Sequence, residues 1–270
     1  MTDNLLAQSF EAMLQQHCTP AQVRAIEVGE SSAGLWQEFE QSGFLDALVD
    51  EEQGGAGLTL PDIFPLLVLC GRYAVPVAVG ETMLARAALA SAGQERGQDE
   101  LLLEATPFAD HDSRRFAGAA IIAAHMAGAM DRAFELTVQF ANDRSQFGRP
   151  IGKFQAVQQM VSVMAEQTFA AKMAAETGCQ ATGWMPDAMR AALAKSRTSE
   201  AAVQVCANAH AVHGAIGATE EYDLQLFTRR LHEWRRAYGS ESYWNRFIGE
   251  AILKSDNNRI VDDIRHNLSV

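Results

Sequence analysis

What most restricts the fold of this chain is a helical spacing of apolar residues that persists along nearly its whole length, with no strand-rich stretch to oppose it. Leu5, Phe10, Met13 and Leu14 fall on one face of a short helix; Leu35, Trp36 and Phe39 fall on one face of a second, which Gly43 stops. A polar, glycine-rich loop occupies residues 50–57. Pro61 and Asp62 then open an apolar helix running to Tyr73, and another helix covers residues 79–92. Residues 93–113 break the pattern with Gly93, Gly97, scattered charges and Pro107. Within that break only residues 101–103 have the makings of a short strand, and one strand cannot make a sheet.

Asp112 or Ser113 is the expected cap of a long helix over residues 114–143, whose many Ala and Gly residues let neighbouring helices approach closely. Pro150 and Gly152 mark a turn, after which helices are expected at 154–182, 187–213, 220–236 and 240–254. Long helices joined by short turns imply a bundle. The expected architecture is all-α: an N-terminal helical domain over residues 1–97, a linker over 98–113, and a C-terminal four-helix bundle over 114–270.

Apolar residues make up 48% of the 270, enough for a sizeable core without disulfides or metals. The net charge of −12 argues against a nucleic-acid backbone or an anionic membrane as the main partner. Cys18, Cys70, Cys179 and Cys206 are isolated, as expected of free thiols in a reducing compartment. The most nearly uncharged run, residues 116–130, is shorter than the roughly 18 residues a membrane span needs. The first residues show no basic-then-apolar signal pattern. A cytoplasmic location is the expectation.

Two segments carry a family resemblance. The first is Ala141-Asn-Asp-Arg144-Ser-Gln-Phe147-Gly148-Arg-Pro150-Ile-Gly152-Lys-Phe154-Gln155-Ala-Val-Gln158, similar to the ERxQFGxPIxxFQ turn of acyl-CoA dehydrogenases. The second, Val212-His213-Gly214-Ala215-Ile216-Gly217-Ala218-Thr219-Glu220, resembles that family's QxHGGxGxT turn. Gly43 to Gly57 is a weaker match to its N-terminal loop. The resemblance implies an enzyme in which a helical domain, a β-barrel-like middle domain and a four-helix bundle enclose FAD and an acyl-CoA. There a glutamate removes the α-proton and the flavin accepts the β-hydride. In this chain the N-terminal match ends near Gly97 and the bundle begins near Arg114, so the middle β-domain has no room.

Residue by residue, the resemblance places Arg144 and Phe147, with Gly148, against the FAD diphosphate and adenine of a neighbouring subunit. A guanidinium pairs with phosphate in a fixed fork. The ordinary alternative is a surface arginine paired with Asp143 or Asp131, with Phe147 as core. Gln155 falls at a further flavin contact, with an exposed helix residue as the alternative. Gly214 and Gly217 would let backbone approach a phosphate, or simply make an inter-helix turn. Ala211 stands where the second motif has its Gln. His210 and His213 share a helix face but have no matching third ligand nearby, so packing or capping is expected rather than metal.

The family's two places for a catalytic base hold glycines, Gly239 in Tyr238-Gly239-Ser240-Glu241 and Gly118 on the long helix. Glu241 is a weak substitute; a helix-starting glutamate favoured by the dipole is the commoner role. Arg229 and Arg236 share a helix face and suit phosphates or carboxylates equally. The resemblance therefore implies a short subunit that shares FAD with a full-length acyl-CoA dehydrogenase partner, or pairs with itself through the bundle, and acts on an acyl-CoA. The alternatives are a helical scaffold that has lost flavin, and a self-sufficient enzyme using Glu241.

Overall fold

The computed structural model describes residues 2–254. Ten α-helices follow one another among the described residues: α1 (Thr2–His17), α2 (Pro20–Glu27), α3 (Ala33–Ser42), α4 (Leu60–Arg72), α5 (Val79–Ser91), α6 (His111–Asp143), α7 (Gln155–Gly178), α8 (Ala188–His213), α9 (Leu224–Trp234) and α10 (Glu241–Lys254). The all-α architecture without a middle β-domain is as expected. The extended structure among the described residues is a two-stranded hairpin, β1 (Ser145–Gln146) and β2 (Arg149–Pro150).

Local chemistry sets the helix starts. Thr19 and Gln22 form a capping box at α2, with Pro20 in its first turn. Helix α2 was not among the expected elements, although Thr19-Pro20 followed by Gln22 carries its start signal. Thr59 and Asp62 make the same box at α4. The long helix α6 begins earlier than expected, because Asp110, not Asp112 or Ser113, caps it: its Oδ1 accepts from Ser113 N at 2.6 Å. Residues 101–103 form no strand. Leu101 N donates to Thr82 Oγ1 and Leu103 N to Glu81 Oε2, laying the segment along α5 and into a short 3-10 turn, Leu103–Ala105. Helix α7 ends at Gly178, short of 182, and α9 begins at Leu224 after a 3-10 turn, Gly214–Ala218.

Helix α6 is the axis. Its 33 residues rise about 50 Å at roughly 1.5 Å each. It packs against α4, α7, α8 and α9, and its stretch from Ala117 to Met130 is continuously buried. Small residues make these contacts possible. A Cβ built on Gly71 would lie 1.8 Å from the His125 carbonyl oxygen, and one on Gly128 would lie 1.9 Å from that of Val68. Backbones of α4 and α6 therefore touch, and no larger residue fits at either glycine. One continuous core extends from Phe10 through α4, α5 and α6 to Leu231, shared between the N-terminal helices and the bundle. Helices α6, α7, α8 and α10 form that bundle, with α9 lying along α6. Trp244, fully buried beside Ala119 and Ala192, docks α10.

Among the described residues, no helix is long and apolar enough to cross a membrane. Among them, too, no group of three or more His, Cys, Asp or Glu is placed to hold a metal ion.

Candidate functional site

The two sequence motifs converge at one end of the molecule. Just past the C-terminus of α6, Ser145 pairs with Pro150 and Gln146 with Arg149 in the short hairpin. Phe147 and Gly148 at its tip both have positive φ, 51° and 77°, as a tight two-residue turn requires. Ile151 N donates to the Arg144 carbonyl at 2.8 Å and closes the base. Phe147 is 92% exposed, its ring edge-on to Phe154. The Arg149 guanidinium lies 4.3 Å from the Phe154 ring centroid.

Arg144 is exposed, and among the described residues its side chain makes no ion pair or hydrogen bond. Asp131 is taken by Arg72 at 2.7 Å, so one of the two ordinary partners of Arg144 is engaged elsewhere. Arg144, Arg149 and Lys153 form a basic cluster on a chain whose net charge is −12. Gln155 is the exposed first residue of α7.

The second turn stands beside the hairpin because Ala141, Ile151 and Val212 share a small core with Phe140 and Phe154 around it. Gly214 takes φ 64° and ψ −146°, a combination open essentially to glycine, and a Cβ there would meet nothing within 4 Å. Its backbone is accessible. Gly217 differs: it is buried, and a Cβ would lie 2.8 Å from His213 Cβ, so it serves the packing of the turn. His213 is buried between Phe140, centroid 4.4 Å away, and Tyr222 at 5.0 Å, with Nδ1 2.8 Å from Ala209 O. His210 Nε2 lies 3.1 Å from Thr228 Oγ1. Both histidines have the packing and capping roles expected of them.

Gly118, toward the other end of α6, and Gly239, which the resemblance sets at base positions, both adjoin Tyr238, the first in space and the second in sequence. A Cβ on Gly118 would lie 2.4–2.5 Å from three Tyr238 ring carbons. Gly239, at φ 108°, has the Tyr243 and Trp244 rings within 2.9 Å of where its Cβ would be. Glu241 is held by Arg235, whose Nε donates to Oε2 at 3.0 Å. This pairing keeps its carboxyl below the usual range, which suits a charged helix start and not a proton acceptor. The basic stretch on α9 is likewise internally paired: Arg229 and Arg230 both reach Glu27.

Three groups here were not foreseen. Glu81, on α5, is raised from the ordinary carboxylate range by burial and faces the Tyr238 hydroxyl. Glu104 interacts with the same hydroxyl. Lys195 is fully buried, and desolvation pushes its ammonium down to about 7. Its Nζ donates to Ser199 Oγ at 2.9 Å and to the carbonyls of Arg235 and Gly239 at 3.0 and 3.1 Å. A lone lysine in the Ala-rich run at 191–195 was the available signal for it; nothing in the sequence pairs Glu81 with Tyr238.

The model of the acyl-CoA dehydrogenase C-terminal domain matches residues 117–253, just over half of the chain. The chain belongs to the acyl-CoA dehydrogenase family. It is a short member without the middle domain. It is 28% identical to the acyl-CoA dehydrogenase IpdE2 of Mycolicibacterium smegmatis (strain ATCC 700084 / mc(2)155) over 288 aligned positions, which take in 84% of this chain and 91% of that one. Its fold is similar to that of the ChsE4–ChsE5 complex from Mycobacterium tuberculosis, with a TM-score of 0.79, 17% identity, and 94% and 98% of the two chains covered. A Tcur3481–Tcur3483 steroid acyl-CoA dehydrogenase variant gives a TM-score of 0.78 at 21% identity, with the same coverage. Both likenesses are of fold.

Proposed function

We propose that this chain is a subunit of a heteromeric acyl-CoA dehydrogenase, in which a full-length partner holds the flavin ring, the base and the acyl-CoA, and this chain contributes Arg144 and its neighbours to the partner's FAD. The observation that carries the reading is the separation of the two family sites along α6. Gly118 and Arg144 stand about 40 Å apart at roughly 1.5 Å per helical residue. A cofactor whose diphosphate lies at Arg144 is therefore not the one whose ring would serve the position of Gly118 in the same chain. The Arg144 end suits a flavin presented by a neighbour.

The residues at that end fit the diphosphate side of such a cofactor. Arg144 is a guanidinium without a partner among the described residues, the Gly214 backbone is open, and Phe147 offers an exposed ring for an adenine. Bound FAD would supply the hydride acceptor for α,β-dehydrogenation. With Gly118 and Gly239 at the base positions, this chain offers no general base of the family's kind, and the isolated chain should be inactive. The ChsE4–ChsE5 fold neighbour is itself named as a complex, which supports the heteromeric reading.

The experiment is co-expression with a full-length homologue and measurement of flavin absorbance per complex, before and after Arg144→Glu. The substitution should leave assembly intact by size exclusion and weaken flavin retention by about 2–5 kcal/mol if the pair is desolvated. Unchanged flavin occupancy in a correctly assembled variant would remove Arg144 from the site.

A further inference from the structure

We propose that Tyr238 is a built-in stopper, whose ring closes the space where an acyl group would lie in this chain, so that the acyl thioester handled by the assembly is held by the partner alone. This rests on the heteromeric reading and adds to it a reason, inside this chain, why one protomer takes no substrate.

The ring is seated with no clearance. Only glycine at 118 leaves room for it, since any Cβ there would stand 2.4–2.5 Å from the ring. The backbone that delivers the ring is unusual. Tyr238 has φ 54° and Gly239 φ 108°, two consecutive left-handed residues in the α9–α10 turn. For a bulky aromatic this conformation is strained and persists only where the surroundings impose it.

The surroundings do impose it. Lys195 Nζ grips the carbonyls of Arg235 and Gly239, on both sides of Tyr238. Trp244 Nε1 donates to the same Gly239 carbonyl at 3.2 Å, and Trp244 is itself fully buried. The phenol also interacts with Glu81 of α5 and with Glu104.

Each of the two carboxylates near the phenol lines a cavity of its own. The first cavity, of about 350 Å³, is lined by Glu81, Ile122, His125, Glu233 and Trp234 among others. The second, of about 360 Å³, is lined by Glu104, Arg114, Arg115, Tyr238 and Tyr243 among others. The first has apolar lining from Val75, Pro76, Val77 and Ile122. The first also carries Glu27 and Glu100, and its two arginines are spent on Glu27. The second is rimmed by charge. Removing the ring should open space over Gly118 beside the second cavity.

The test is a gain of binding, which a merely structural tyrosine would not give. Octanoyl-CoA and free CoA are titrated calorimetrically into the isolated full chain, as wild type, Tyr238→Phe and Tyr238→Ala. The first two should show no preference for octanoyl-CoA over CoA up to about 1 mM, and Tyr238→Ala should bind octanoyl-CoA at least about tenfold more tightly than CoA. A preference for octanoyl-CoA already present in the wild type overturns the proposal, as does a folded Tyr238→Ala chain without one.

A second measurement needs no variant. A photoreactive octanoyl-CoA with a diazirine at its tail is irradiated with the wild-type heteromer. Labelling confined to the partner supports the stopper; labelling of this chain around Gly118, His125 or Trp234 refutes it. Failure to find any flavoprotein partner would end the heteromeric reading, whereas the calorimetric result on the chain alone would still decide the role of Tyr238.

Discussion

The two ends of α6 have been treated in opposite ways. At its N-terminal end, Gly118 is sealed under the Tyr238 ring, the neighbouring carboxylates are turned onto the phenol, and Lys195 locks the turn from behind. At its C-terminal end, the hairpin holds Arg144 and Phe147 out in solvent at a cost in backbone strain and with no gain in packing. A chain selected only for stability would bury the second end as it buries the first. The contrast teaches where the two ends differ: one leaves a basic side chain and an aromatic ring exposed, and the other uses glycines to seat a ring inside the fold.

Gly118→Glu should have the largest effect and tests the sealed end directly. It returns a carboxylate to a family base position, but its Cβ collides with the Tyr238 ring. Overpacking alone costs about 1–3 kcal/mol, and a carboxylate buried without a cationic partner adds to that. A drop of several kcal/mol in the urea midpoint energy is expected. If the midpoint stays put, the ring is not seated as described.

Next comes the pH response of the middle of α6. His125 is buried, its Nε2 has no partner among the described residues, and desolvation pushes its imidazole down to about 4. Its folded-state pKa lies below the unfolded value, so the unfolded chain binds the extra proton between about pH 6.5 and 4. The stability attached to this histidine is whole above pH 6.5 and is lost as the pH falls towards 4. The expected loss is about 3 kcal/mol at roughly 1.4 kcal/mol per pH unit. Thermal melts of wild type and His125→Asn across that window should diverge, with the flatter curve in the variant; parallel curves would assign the acid sensitivity elsewhere.

The smallest effect on stability is expected at the open end. Phe147→Gly relieves a positive φ and removes an exposed ring, so its unfolding free energy should move by less than about 1 kcal/mol. Flavin retention by the heteromer should fall all the same. A large stability loss there would mean the ring is packed in the free chain, and the contrast between the two ends would weaken.

Much of this was legible in the sequence, for identifiable reasons. The helix of residues 60–72 announced itself through Pro61 and Asp62, and the break after α6 through Pro150 and Gly152, though not that it forms a hairpin. The convergence of Arg144 with Gly214 at one end needed the Ala141–Ile151–Val212 core, which no local pattern reveals. The start of α6 was misplaced because Asp110, Asp112 and Ser113 are all competent caps, and only three-dimensional geometry selects among them. The stopper was invisible for a deeper reason. Tyr238, Gly118, Glu81, Glu104 and Lys195 come from five separate segments, and each looks ordinary in its own neighbourhood.

The four thiols described at the outset as isolated turn out to be a ready-made reporter set. All are buried, in the first turn after α1, in α4, at the end of α7 and in α8. Burial pushes Cys18, Cys179 and Cys206 up to about 12, and Cys70 higher still, so each is a thiol and not the reactive thiolate at neutral pH. An alkylating reagent therefore finds no target while the chain is folded. Each site becomes modifiable only when its own stretch of helix opens, so mass-resolved alkylation along a denaturant series would map the order in which the protein comes apart, with no engineered label.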